Sequence, residues 1–153
     1  MENQKKSYDE KFMKKAIALA QKAYQLDEVP VGAVLVKDGE VVAMAYNKRE
    51  MSNDATAHAE ILAIKKACKK LGDFRLIGCE LYVSLEPCVM CTGAILNSRI
   101  ENVYYGASIT NGSISCKELC DRAELNHKTH FEGGFFAEEC SNMVSNYFKQ
   151  KRK

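Results

Sequence analysis

The apolar residues of the chain follow two patterns, one typical of amphipathic helices and one of short buried strands. From Tyr8 to Leu26 they recur at helical spacing, which predicts a first helix. The β-branched runs Val31–Val36 and Val41–Tyr46 predict two strands. Between them, Lys37–Glu40 is a hairpin signal because Asp-Gly accepts positive φ. The chain therefore opens with a helix and an antiparallel hairpin.

Helices and strands alternate along the rest of the chain. The further predicted elements are a helix from Asp54–Ala57 to Leu71–Asp73 that Gly72 ends, a strand at Glu80–Ser84, a helix at Cys88–Asn97, a strand at Glu101–Gly106, a strand at His127–Glu132 and a helix at Phe136–Lys151. Residues 107–126 show no clear pattern apart from one helical turn near Glu118. This order predicts an α/β fold, a three-layer α/β/α sandwich around a mixed five-stranded sheet.

The same spacing predicts which helix faces are buried. On the second helix the expected apolar stripe consists of Ile61, Ile64, Cys68 and Leu71. On the last helix the residues expected to point inward are Phe136, Cys140, Met143, Val144, Tyr147 and Phe148.

Composition places the chain among ordinary globular proteins. It has 153 residues, of which 46% are apolar and 27% charged. These values exclude disordered, collagen-like and low-complexity proteins. Neither a repeat nor a linker divides the sequence, so we expect one domain over residues 1–153.

Net charge is weak evidence about partners, because 22 basic and 20 acidic residues leave only +2. The distribution is more informative, since residues 141–153 contain four basic residues and no acid. This basic C-terminal helix end, at 149–153, has two interpretations. It contacts phosphates, or it is a solvated helix end whose cations the helix dipole favours.

Seven cysteines are unusual in a chain that is long enough to fold without disulfides. No signal peptide is evident, and no apolar stretch approaches the roughly 20 residues of a membrane span. We therefore expect a cytoplasmic protein with reduced thiols and no membrane association. Cys68 and Cys140 fall on apolar helix faces and are expected in the core. For Cys116 and Cys120, a structural role, a second metal site and a redox pair all remain open.

Two short motifs carry the candidate chemistry, and each opens a predicted helix. His58-Ala59-Glu60 opens the second helix, and Pro87-Cys88-Val89-Met90-Cys91 opens the third. Two thiolates and an imidazole are preferred zinc ligands, and three protein ligands leave a fourth position for water. Glu60 is well placed beside such a water to carry a proton. Either motif alone has a plain explanation, such as a redox pair or buried small residues, but their combination favours a catalytic zinc site.

This arrangement resembles the signature of the zinc-dependent base deaminases. More closely, the chain resembles the bacterial tRNA adenosine deaminases over about residues 8–150. The resemblance is densest at Glu28–Ala33, Thr56–Glu60, Leu81–Val83, Leu85–Cys91 and Ser98–Ile100, with further likeness at Asn126-His127 and Phe148. Of the histidines in that part of the chain, His127 rather than His130 is the candidate for facing RNA.

The resemblance implies an activity and its partners. The expected reaction converts adenosine to inosine at the wobble position of tRNA, in the anticodon stem-loop of an arginine tRNA. It also implies one Zn²⁺ per subunit and a homodimer. By the same resemblance His58, Cys88 and Cys91 hold the metal, and Glu60 is catalytic.

Six further residues are expected to contact the substrate by resemblance to this family. Asn47 is expected to hydrogen-bond the nucleoside, while the Ala59 N–H and the Pro87 carbonyl meet the base edge and the leaving amine. Val29 and Leu85 are expected to line the pocket. Phe148, with the basic end, is expected to hold flanking nucleotides. From the residues alone, Asn47 also suits a turn and Phe148 also suits core packing.

One segment departs from the family pattern. Ser108–Ser115 contains no Asp or Lys, whereas the family usually places an acidic residue and then a Lys- and Gly-rich loop there. This difference leaves open a deaminase of a free nucleobase or nucleoside, of the guanine, cytosine or cytidine type. A third hypothesis, a zinc-bearing scaffold without catalysis, is disfavoured because a structural site has no use for Glu60.

Overall fold

The computed structural model describes residues 7–109, 114–122 and 127–151. The helices of these ranges are α1 (Glu10–Gln25), α2 (Ala59–Leu71), α3 (Val89–Asn97), α4 (Cys116–Arg122) and α5 (Ala137–Lys151). The strands are β1 (Gly32–Lys37), β2 (Glu40–Tyr46), β3 (Cys79–Leu85), β4 (Asn102–Ala107) and β5 (His130–Glu132).

The strands form one mixed sheet in the order β2-β1-β3-β4-β5. Strand β1 is antiparallel to both β2 and β3, whereas β3–β4 and β4–β5 are parallel pairs. The parallel half follows from the crossover helix α3, which returns the chain to the same edge before β4 begins. The predicted α/β class and the mixed five-stranded sheet are confirmed.

Alternation along the strands divides the core into two layers. Val34, Tyr82 and Tyr104 pack on the face covered by α1 and α5. Leu35 and Val83 belong to the opposite face, which α2, α3 and α4 cover. Because both faces are covered, the inner strands are buried along almost their whole length, as in other three-layer sandwiches.

Local turn signals in the sequence gave correct boundaries. Asp38 and Gly39 both adopt positive φ in the predicted hairpin. Gly72 ends α2 in the left-handed conformation, where its N–H bonds the Cys68 carbonyl. No helix within the described ranges is long and apolar enough to cross a membrane.

The predicted apolar stripe of α2 was wrong, because the helix buries a neighbouring face that shares only Ile64 with the prediction. The buried residues on this helix are Ala59, Glu60, Ala63, Ile64 and Ala67, whereas Ile61 and Cys68 are only partly buried and Leu71 is 38% exposed. Alanines at every fourth position let the helix approach the sheet closely. The prediction followed the spacing of the larger apolar side chains, which lie next to these alanines on the helix surface.

The region after β4 also differs from its prediction. A two-turn helix, α4, occupies Cys116–Arg122, where only one turn near Glu118 was expected. Strand β5 begins at His130, three residues later than predicted. Short elements with few apolar positions leave little periodic signal.

Gly32 marks the tightest contact between α1 and the sheet. A Cβ at this position would collide with the Ala16 carbonyl and stand 2.7 Å from the Ala20 nitrogen. We expect Gly32→Ala to lower the free energy of unfolding by about 1–3 kcal/mol, because the backbone of a packed helix cannot move aside without losing other contacts. Chemical denaturation of the full chain measures this loss.

Gly93 in α3 provides the matched control for this substitution. A Cβ there meets nothing within 4 Å. Gly93→Ala should be neutral or stabilising by up to about 1 kcal/mol, because alanine has the higher helix propensity. Equal stability of the two variants would contradict the close packing assigned to Gly32.

Candidate metal centre and substrate cleft

The fold brings the two sequence motifs to the carboxyl edge of the parallel strands. His58 directly precedes α2, and Cys88 directly precedes α3, each with extended backbone. Cys91 lies in the first turn of α3, one turn from Cys88. The crossover from α2 through β3 therefore places two helix N-termini side by side, as the spacing predicted.

The distances from the His58 ring nitrogen to the two thiols match those expected around a zinc ion. The Nδ1 atom of His58 lies 3.7 Å from the Cys88 Sγ and 3.6 Å from the Cys91 Sγ. With Zn–S near 2.3 Å and Zn–N near 2.05 Å, tetrahedral angles give an S···N separation of about 3.6 Å. Among the described residues, this is the one group of three or more His, Cys, Asp or Glu side chains arranged to hold a metal.

The two thiols differ strongly in acidity. The hydrogen bond from the Cys91 thiol lowers the pKa of Cys88 to about 4, and the hydrogen bond with His58 lowers it further. The same contact with Cys88, together with burial, raises the pKa of Cys91 well above its ordinary value. The hydrogen bond with Cys88 also raises the pKa of His58. Cys88 is therefore a thiolate before any metal binds, whereas Cys91 must release its proton when the metal binds.

Glu60 is the second residue of α2, and its side chain lies beside the ligands. It is 4% exposed. Burial raises the pKa of its carboxyl to about 7, the pH at which a group both accepts and returns a proton readily. Its carboxylate also accepts a hydrogen bond from the Cys91 thiol. Glu60 is thus placed beside the metal ligands without belonging to their set.

A cleft of about 570 Å³ opens onto this cluster. Its lining includes His58, Glu60 and Cys88. Of the six predicted substrate contacts, it also includes Val29, Asn47, Leu85 and Phe148. Phe148 is 42% exposed, so it lies at the surface rather than in the core. The remaining two, Ala59 and Pro87, are buried beside the ligands and do not line the cleft.

Several lining residues were missed by sequence reasoning. They are Val31, Arg49, Glu86, Ala107, Ser108, Ile109, Ser141, Val144 and Ser145. On α5, Val144 was expected in the core and instead lines the cleft. Phe148, for which both core packing and a substrate contact were expected, lines it too. The buried residues of this helix are Cys140 and Tyr147. Ser141, three residues before Val144, and Ser145, directly after it, were the available signal that this face is not core.

A buried carboxylate fixes the loop that precedes His58. Glu28 is 1% exposed and accepts backbone N–H groups from Glu50 at 3.0 Å and Met51 at 2.6 Å. This loop also carries Asn47 and Arg49 into the cleft. The Glu28 side chain therefore couples the start of β1 to the position of the predicted substrate contacts.

The other cysteines take no part in the metal cluster. All seven thiols are free of disulfides. Cys140 is buried, as expected. Cys116 is buried next to Glu86, and the Cys120 thiol donates to the Thr129 carbonyl at 3.8 Å.

His127 does not reach the cleft. Its Nε2–H donates to the Ile100 carbonyl at 3.0 Å, at the opposite end of β4 from the metal ligands. Its RNA-facing role stays a prediction, and any such contact would lie outside the cleft. Asn126, named with it in the resemblance, lies outside the described residues.

Comparison with known proteins agrees with this site. The profile of the cytidine and deoxycytidylate deaminase zinc-binding region matches residues 6–107. A tRNA-specific adenosine deaminase of Bacillus subtilis (strain 168) is 47% identical over 147 residues, covering 95% of this chain and 91% of the relative. A solved structure from studies of A-to-I editing by tRNA:A34 deaminases matches with a TM-score of 0.84 and 42% identity, over 88% of this chain and 99% of the other.

A second solved relative comes from a neighbouring activity. The X-ray structure of guanine deaminase from Bacillus subtilis matches with a TM-score of 0.63 and 48% identity, but over only 66% of this chain and 65% of the other. The match to the tRNA:A34 deaminase is both longer and structurally closer. The chain therefore belongs to the zinc-binding deaminase family, together with the tRNA-specific adenosine deaminases.

Proposed function

We propose that this protein is a zinc-dependent hydrolase that deaminates adenosine to inosine at the wobble position of tRNA. The observation that carries the proposal is the buried Glu60 beside the His58–Cys88–Cys91 cluster in an open cleft. A closed structural zinc site has four protein ligands, whereas this one has three and a neighbouring proton carrier.

The roles of the chain's own side chains follow from this geometry. We assign His58, Cys88 and Cys91 as ligands of one Zn²⁺ per subunit. When bound, zinc supplies a Lewis acid that lowers the pKa of a coordinated water to about 7. Glu60 takes a proton from the attacking water and returns it to the departing amine, so that adenosine and water give inosine and ammonia.

The cleft suits a base that has been turned out of an RNA loop. Val29 and Leu85 offer apolar surface to its faces, and Asn47 offers hydrogen-bonding groups. Phe148 stands exposed where a neighbouring base can stack. We assign the backbone N–H of Ala59 and the carbonyl of Pro87 to the base edge and leaving amine; this carbonyl also accepts the Thr92 hydroxyl at 3.4 Å.

The proposed partner is the anticodon stem-loop of an arginine tRNA, bound by a cytoplasmic homodimer. Part of the basic helix end supports this assignment. Lys149 is exposed, while Lys151 pairs with Asp27 at 2.8 Å and anchors the end of α5 near the cleft. Arg152 and Lys153 lie outside the described residues.

A substrate panel tests the proposal. The zinc-loaded chain is incubated with an arginine tRNA anticodon stem-loop, the same stem-loop with guanosine at the wobble position, and free adenosine, guanine, cytosine and cytidine. We expect inosine at the wobble position of the first RNA, read by sequencing, and equimolar ammonia. Absence of inosine from zinc-loaded protein would refute it.

A free-base deaminase is the second candidate. Two observations favour it: the partial match to guanine deaminase, and the lack of an acidic residue in Ser108–Ser115. Ammonia release from guanine or a cytosine compound, with none from the stem-loop, would establish this candidate and replace the first.

Asn47 offers a test of the substrate contacts that leaves the metal site intact. We expect Asn47→Ala to lower kcat/KM for the stem-loop by about 10- to 100-fold, the usual effect of losing a substrate hydrogen bond. Zinc content, measured by mass spectrometry of the metal, should stay at one per chain. Asn97→Ala, at an exposed helix end, is the control and should match the wild type. A wild-type kcat/KM for Asn47→Ala would contradict the assignment.

A further inference from the structure

Glu86 is a buried carboxylate that the deamination chemistry leaves unused. It is 5% exposed and lies directly after β3, between Leu85 and Pro87. Its backbone N–H donates to the Ala107 carbonyl at 2.8 Å, which extends the pairing of β3 with β4 by one step. The residue is therefore fixed at the carboxyl edge of the sheet, where the cleft opens.

The two carboxylate oxygens of Glu86 accept backbone donors from two separate places. Oε1 accepts the N–H of Ile109 at 3.0 Å, just after β4. Oε2 accepts the N–H of Cys116 at 2.9 Å, where α4 begins. One side chain thus ties the point where the chain leaves the sheet to the point where the next helix starts.

The residues at the first of these two points form part of the cleft wall. Ser108 and Ile109 line the same cleft as His58 and Glu60. Ser108 is exposed and Ile109 is partly buried, whereas Glu60 is buried. A base that reaches Glu60 must leave its sugar and neighbouring nucleotides at the exposed part of the cleft. Ser108 and Ile109 are therefore placed to touch the nucleotide outside the reacting base.

We propose that Glu86 is a positioning residue that holds Ser108 and Ile109, just after β4, in place for contact with the RNA outside the reacting base. This inference rests on the proposed function, because it needs an RNA substrate. Since the contact lies away from the reacting atoms, it governs binding of the RNA more than the chemical step.

The substitution Glu86→Gln separates these two effects. An amide has one acceptor oxygen, so it must present an NH₂ group to either the Ile109 or the Cys116 N–H. We expect KM for the anticodon stem-loop to rise about tenfold, with kcat changed by less than about threefold and zinc retained. Amide hydrogen exchange at Ile109 or Cys116, followed by NMR on the zinc-loaded chain, should become faster.

Glu80→Gln is the matched control, because it makes the same change at the start of β3, at a partly buried position away from the cleft lining. It should leave KM and both exchange rates at wild-type values. If Glu86→Gln does not fold, Glu86→Asp keeps the charge and shortens the reach by one methylene, and it should show the same rise in KM.

The outcomes distinguish this inference from the proposed function. A wild-type protein that makes no inosine in the stem-loop refutes the proposed function. Active wild type with an unchanged KM in the folded Glu86 variant refutes the positioning role alone. An equal loss of kcat and zinc, without a change in KM, would also overturn it, because Glu86 would then act on the metal site.

Discussion

Glu60→Gln should reduce deamination by about a thousandfold or more while leaving zinc bound. The two side chains have nearly the same size, so the buried position in the first turn of α2 tolerates the change. Glutamine cannot take up a proton at neutral pH, however, and the proposed reaction needs one group that accepts a proton and then returns it. The measurements are initial rates on the anticodon stem-loop and metal content per chain.

Glu40→Gln, at an exposed position where β2 begins, is the control for loss of a carboxylate and should keep full activity. Retention of more than about a tenth of the wild-type rate by zinc-loaded Glu60→Gln would show that another group moves the proton. Loss of zinc from this variant would instead make Glu60 part of the metal site.

The sequence was sufficient to predict the metal cluster because its members are local to two helix starts. His58 and Cys88 each lie immediately before a helix, and such starts are marked by proline, by turn residues and by the onset of helical spacing. The right-handed crossover between parallel strands then leaves few ways to arrange these helices. The distance between the two motifs in the fold therefore followed from signals that are local in the sequence.

The cleft walls were harder to predict, since they depend on contacts between distant segments. Glu28 and Glu86 hold loops through backbone N–H groups, and a backbone donor has no sequence signature. Val144 was expected in the core because periodicity identifies an apolar face but not what covers it. The alanine face of α2 shows the same limit, since close packing favours small residues that hydrophobicity ranks low.

Removing one metal ligand should abolish both zinc binding and deamination. Cys91→Ala removes one of the three metal ligands, and we expect zinc affinity to fall by about a hundredfold or more. Bound zinc, measured after dialysis against a chelator, should drop from one per chain to near zero, and deamination should be lost with it. Cys68→Ala is the matched control, because that thiol is only partly buried and lies outside the cluster.

The acidity of the thiols also predicts how zinc affinity depends on pH. The raised pKa of Cys91 means that the zinc-free pair keeps a proton at neutral pH, and metal binding must release it. Each released proton makes affinity rise by about tenfold per pH unit, so binding should strengthen from pH 6 to pH 8. The raised pKa of His58 steepens this rise at the acidic end, because the imidazole must also be neutral to bind. Competition with a chromophoric chelator at pH 6, 7 and 8 measures the slope, and a flat profile would mean that both thiols are already ionised.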